Sequence, residues 1–164
     1  MYHALRTASA ALGRGSEIVA AGLLLVVTII NLVQVAGRYS IGFSLPWGEE
    51  IMRYTMVWVM MIGGVACFWR VEHMSIDALH DMAPARLRPL VRGALYGIAG
   101  IFCFLLAWYG WPAAFANSRQ YAAASGISMF WVYLAIPVGA TLMIVQIVLC
   151  WLTGYRPVDA RDER

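Results

Sequence analysis

The chain has 164 residues, of which 62% are apolar and 13% are charged. Soluble domains are about 45–50% apolar and about 25% charged, so this composition excludes a water-soluble globule. A net charge of only +3, without a basic run, also excludes a nucleic-acid-binding module. The composition therefore predicts an all-α integral membrane protein, with residues 1–164 forming a single membrane domain.

Four long stretches without charged residues predict four transmembrane helices. A helix needs about 20 mainly apolar residues to cross a bilayer, and the first stretch, from Ile18 to Gly37, meets that need. Arginines precede this stretch, as in a signal peptide, but the apolar run is too long for a signal core and predicts a retained anchor. The predicted spans are residues 17–38, 48–70, 90–115 and 127–152.

The connection between the second and third spans contains a further amphipathic pattern. Ile76, Leu79 and Met82 recur every three residues, and acidic and histidine side chains lie between them. This periodicity is typical of a helix that lies in the plane of the membrane interface. We therefore predict an interfacial amphipathic helix within segment 74–88.

Four charged residues lie where the first span ends and the second begins. Glu49 and Glu50 open the second span, and Arg53 follows Glu49 by four residues, the favourable order for a pair on a helix. Arg38 closes the first span in the same layer. Because these charges lie at shallow depth, they favour a helix start at the lipid headgroups or a contact with a partner over direct transport chemistry.

The first span also carries a polar stripe. Thr28, Asn31 and Gln34 follow one another at spacings of three residues, and Arg38 comes four residues later. Such a stripe fits an ion pathway, but hydrogen bonding between packed helices explains it equally well and is the more common arrangement in membranes. We therefore interpret these residues as candidates for helix packing.

The positions of the histidines disfavour a third class of protein, a membrane anchor for a redox enzyme that binds haem. His3, His73 and His80 all lie outside the four spans, where they cannot act as axial ligands within the bilayer. His73 and His80 lie near Asp77, but two histidines with neighbouring acids are a weak metal signal. No phosphate loop, nucleophile elbow or paired redox cysteine occurs. We therefore predict no metal, no cofactor and no enzymatic activity.

Several short motifs follow one another along the chain. They are Arg38-Tyr39, the run from Ser44 to Glu50, Arg53-Tyr54, Trp58, Gly63-Gly64, Arg70, the run from His73 to Asp77, Gly126-Ile127, the run from Trp131 to Tyr133, and Pro137-Val138-Gly139. Each motif is loose by itself, but their order on a chain with four spans is specific and resembles the small membrane subunit of tripartite ATP-independent periplasmic (TRAP) transporters, the DctQ-type family. One departure is Ser128-Met129, where similar proteins often place proline, and we expect it to alter only the start of the fourth span.

The resemblance implies a small permease subunit of the bacterial inner membrane. In that family a periplasmic binding protein delivers an organic acid to a membrane pair, and the large permease subunit carries the substrate and ion sites. This chain would then scaffold the large subunit and contact membrane lipids. The candidate packing or interface residues are Asn31, Gln34, Arg38, Trp47, Glu49, Glu50, Arg53, Trp58, His73 and Asp77. The alternative is a self-sufficient small transporter or channel that forms oligomers.

The distribution of arginine predicts that both termini face the cytoplasm. Of the twelve basic residues, all arginine, only Arg38, Arg53 and Arg119 flank the spans on the opposite side. We expect a cysteine placed at Ser44 or Ser118 to react with an impermeant maleimide in intact cells. Reaction at either position only after lysis would contradict the predicted topology.

Overall fold

The computed structural model describes residues 2–42, 46–70 and 88–153 of the chain. Over these residues the chain forms long helices and, apart from one isolated bridge, no β-structure. The expected interfacial helix in segment 74–88 falls almost wholly outside the described residues. The helices are α1 (Tyr2–Ile41), α2 (Pro46–Arg70), α3 (Arg88–Ala116) and α4 (Met129–Thr153).

All four helices are long and apolar enough to cross a membrane. Helix α1 has 40 residues and begins well before residue 17, where the first span was expected to start. At 1.5 Å per residue it is about 60 Å long, roughly twice the hydrocarbon thickness of a bilayer. The helix begins earlier than the expected span because Arg6 and Arg14 limit the apolar run without ending the helix. Arginine has a high helix propensity.

Helix α4 lies at the centre of the helix packing within the chain. It contacts α1, α2 and α3, and α1 and α2 also pack against each other. Among the described residues, α3 packs only on α4. The arrangement is therefore a group of three helices, α1, α2 and α4, with α3 attached to the outer side of α4.

Helix α1 packs on α2 and α4 through one seam of nine positions. The spacing alternates between four and three residues, as in the hydrophobic seam of a coiled coil. Gly13 of this seam lies directly against the indole ring of Trp69 on α2. Every seam position is buried or half-buried, and the seam consists of Ser9, Gly13, Ser16, Ala20, Leu23, Val27, Ile30, Gln34 and Gly37.

A buried amide joins α1 to α4 near the chain termini. Gln146 is fully buried, and its Nε2 donates a hydrogen bond of 2.8 Å to Ser9 Oγ. The Sγ of Cys150 lies 3.6 Å from the same nitrogen and 3.9 Å from Ser9 Oγ. Because a buried amide is costly unless it is hydrogen-bonded, this contact fixes the register of α1 against α4.

Helices α2 and α4 approach each other closely at Gly139, within the Pro137-Val138-Gly139 motif. A Cβ atom added at Gly139 would lie 2.5 Å from Met61 Cβ and 3.3 Å from the Met61 backbone. Backbone atoms cannot move away as a flexible side chain can. Glycine at position 139 is therefore required by the distance between the two helices.

We expect Gly139→Ala to destabilise the isolated protein by about 1–3 kcal/mol, because the added methyl group overpacks the contact with Met61. The matched control is Gly97→Ala on α3, where an added Cβ meets no atom within 4 Å. Thermal unfolding in detergent measures both variants. Equal midpoints for the two variants would show that α2 and α4 do not approach as closely as described.

Candidate functional site at the loop end

The candidate site lies at the end of the molecule where α1 ends, α2 begins and residues 117–128 connect α3 to α4. We call this region the loop end. It holds most of the polar residues that the sequence indicated. The connecting loop supplies hydrogen-bond donors that the helices themselves do not.

The loop between α3 and α4 is a compact turn. Tyr121 and Ser128 form an isolated antiparallel bridge, and the amide of Met129 donates a 2.8 Å hydrogen bond to the carbonyl of Gln120. Gly126 has a φ of 67°, a left-handed conformation that glycine adopts without steric cost. These contacts give the loop a defined shape of its own.

Ser128 forms the cap of α4. Its Oγ accepts a hydrogen bond of 3.3 Å from the amide of Phe130 and donates one of 3.1 Å to the carbonyl of Ser118. Serine is a preferred residue at helix N-termini because its hydroxyl satisfies an otherwise unpaired backbone amide. The hydroxyl of Ser128 therefore pairs a backbone amide in the first turn of α4.

The central contact of the loop end is made by Glu50. Its carboxylate accepts a hydrogen bond of 2.9 Å from the amide of Ser125 and another of 2.9 Å from Ser125 Oγ. The amide of Ala124 lies 3.3 Å from both carboxylate oxygens. Successive backbone amides that point at one anion form a concave anion site, and here the anion belongs to α2. Glu50 thus ties the start of α2 to the loop between α3 and α4.

The other charged residues of the loop end face outwards. Glu49, Arg38 and Arg53 are exposed. Arg53 lies close enough to Glu50 to interact with it electrostatically. Arg38 lies in the last turn of α1, where a cation is favoured by the helix dipole. The side chains of Glu49 and Glu50 have different surroundings, because adjacent residues on a helix point about 100° apart.

Two further candidates connect helices. Trp58 on α2 donates a hydrogen bond of 3.1 Å from Nε1 to the carbonyl of Trp131 on α4. Gln34 lies in the α1 seam directly against Gly48 of α2. Trp47, the third candidate near this junction, is exposed.

The remaining candidates are Asn31, His73 and Asp77. Asn31 is exposed on α1, away from the seam. His73 and Asp77 lie outside the described residues. Sequence reasoning missed Ser125, whose amide and hydroxyl both bind Glu50, and the only local signal was the Ser-Gly pair that marks a turn.

Comparison with known proteins identifies the family. The sequence matches the DctQ component of tripartite ATP-independent periplasmic transporters over residues 19–156. A putative TRAP transporter small permease protein of Haemophilus influenzae is 23% identical over 85% of this chain and 86% of its own length. The C4-dicarboxylate TRAP transporter small permease protein DctQ of Rhodobacter capsulatus is 24% identical over 80% of this chain and 72% of its own length.

A third relative is a much longer protein. The sialic acid TRAP transporter permease protein SiaT of Haemophilus influenzae is 28% identical over 73% of this chain, but the matched part is only 19% of that relative. This chain thus spans about a fifth of SiaT. The family match over most of the chain, together with four helices long enough to cross a membrane, shows that the chain belongs to the DctQ family of TRAP transporter small permease components.

Proposed function

We propose that this chain is the small membrane subunit of a TRAP transporter and scaffolds a large permease subunit. The transporter would take up an organic acid that a periplasmic binding protein delivers, with an ion gradient as the energy source. The observation that carries the proposal is the family match over residues 19–156. As a member of this family, the chain is a transporter component rather than an enzyme.

The placement of charge supports a scaffolding role. Each described helix contains a long run without charged side chains, and these runs are the parts that would lie within the hydrocarbon. Charged side chains within a bilayer usually mark substrate or ion pathways. We therefore assign substrate and ion binding to the large subunit. SiaT supports this division of roles between the two subunits, because the part of SiaT that resembles this chain is about a fifth of a longer permease protein.

The loop end supports a docking role. The proposed topology, with both termini in the cytoplasm and the chain in the inner membrane, would put the loop end in the periplasm. There the contact between Glu50 and Ser125 would hold the loop in one shape, and a loop with one shape loses less entropy when a binding protein docks. The names of the relatives include sialic acid and C4-dicarboxylate, so we propose a carboxylic acid as the substrate class.

We expect liposomes that contain this chain alone to take up no substrate. Liposomes that also contain the large permease subunit should take up the acid when its loaded binding protein and an ion gradient are supplied. Uptake assays with each subunit alone and with both subunits make the comparison. Uptake by this chain alone would instead support a self-sufficient transporter.

We expect Glu50→Gln to release the loop, because a neutral amide accepts weaker hydrogen bonds from Ala124 and Ser125 than a carboxylate does. Hydrogen exchange at those two amides should become several-fold faster. The matched control is Glu49→Gln, which removes the same charge from an exposed neighbour.

The same two variants test the docking role. With Glu50→Gln, the binding-protein concentration that gives half-maximal uptake should rise several-fold, and with Glu49→Gln it should change less. Unchanged exchange at Ala124 and Ser125 in Glu50→Gln would show that the carboxylate does not hold the loop.

A further inference from the structure

Helix α1 has a second face that no other described helix covers. Beside the seam, five residues recur at spacings of three and four, so they form one stripe along the helix. All five are exposed. We call this stripe the Asn31 flank, and it consists of Ala21, Leu24, Thr28, Asn31 and Val35.

The Asn31 side chain lies within the membrane-spanning part of α1. The uncharged run extends from Ile18 to Gly37, and Asn31 is about 5 Å along the helix axis from the middle of that run. Its amide has two N–H donors and one carbonyl acceptor. No described residue forms a hydrogen bond with this side chain. The amide thus faces outwards at a depth where lipid offers it no partner.

Thr28, the other polar residue of the flank, already has a hydrogen-bond partner within its own helix. Thr28 Oγ1 donates a hydrogen bond of 2.8 Å to the carbonyl of Leu24, one turn earlier in the same helix. A hydroxyl satisfied by its own helix is compatible with contact to lipid. Asn31 is therefore the residue that distinguishes the flank from an ordinary lipid-facing surface.

Helix α3 provides the internal comparison. Since it packs only on α4 among the described residues, it also exposes a wide face. The large exposed side chains of that face are all hydrophobic or aromatic, a composition that acyl chains accept. They are Ile98, Ile101, Phe102, Phe104, Leu105, Trp108, Tyr109, Trp111 and Phe115.

We infer that the Asn31 flank binds a membrane helix of the large permease subunit, and that this helix presents a hydrogen-bonding group opposite Asn31. The inference rests on the proposed function, which supplies the partner. Side chains such as asparagine form hydrogen bonds across packed membrane helices, and small residues such as Ala21 allow helices to approach closely. The exposed face of α3 is then the face that lipid covers.

Charge disfavours a second copy of this chain as the partner. Two copies have the same orientation in the membrane, so a two-fold pairing through the flank runs the two α1 helices in parallel. Arg38 lies seven residues after Asn31 on the same side of α1 and is exposed. A parallel pairing would bring the two Arg38 side chains together, and like charges in close contact repel each other.

Site-specific cross-linking in cells that express both subunits tests the inference. A photoreactive amino acid at position 31 should form an adduct with the large subunit. The yield should be at least roughly five-fold higher than from the same amino acid at position 101 on α3, because only the flank would face that subunit. A higher yield from position 101 than from position 31 would overturn the inference. An adduct between two copies of this chain at position 31 would also overturn it. If the wild-type chain does not co-purify with a large subunit at all, the proposed function fails instead.

A substitution gives a second measurement. Asn31→Leu should reduce recovery of the two-subunit complex several-fold and leave the thermal midpoint of the isolated chain unchanged, because the side chain has no described partner within the chain. The control is Leu32→Ala, which alters an exposed neighbour outside the flank. Equal recovery of the complex for both variants would overturn the role of Asn31.

Discussion

The hydrocarbon interior of a membrane offers no hydrogen bonds, and this constraint explains where the polar side chains of the helices lie. Gln146 is buried between α4 and α1 and donates to Ser9. The Trp58 indole donates to a backbone carbonyl of α4. Glu50 binds the amides of a loop. Each contact pairs a polar atom and also fixes one element against another. The Asn31 side chain forms no hydrogen bond with any described residue, and this observation is the basis of the proposed contact with another protein.

These contacts give α4 its central role. Gln146 joins it to α1 near the termini, Gly139 allows it to approach α2, and Trp58 binds its first turn. The loop that precedes α4 is held by Glu50 from α2. The group α1, α2 and α4 is thereby connected at both ends, which suits a subunit whose proposed task is to scaffold a large permease subunit. Helix α3 extends the hydrophobic surface of this group.

The sequence alone predicted the class and the family of this protein. Uncharged runs long enough to cross a bilayer indicated the four spans, because charge is excluded from hydrocarbon whatever the tertiary fold. The order of motifs such as Pro137-Val138-Gly139 indicated a DctQ-type subunit, and the family match over residues 19–156 confirms it. The charge pattern did not show that α1 extends well before the first span, since arginines mark the edge of the membrane and not the end of a helix.

Only the tertiary structure decided which polar residues act together. Glu49 and Glu50 are chemically identical neighbours, and Glu50 binds the loop because the direction of each side chain depends on how α2 is rotated against its neighbours. Gln34 and Asn31 belong to one stripe in sequence, yet the seam includes Gln34 and leaves Asn31 exposed. The contact with Ser125 spans 75 positions of the chain. Local periodicity fixes which residues share a helix face, whereas the packing of whole helices determines what each face meets.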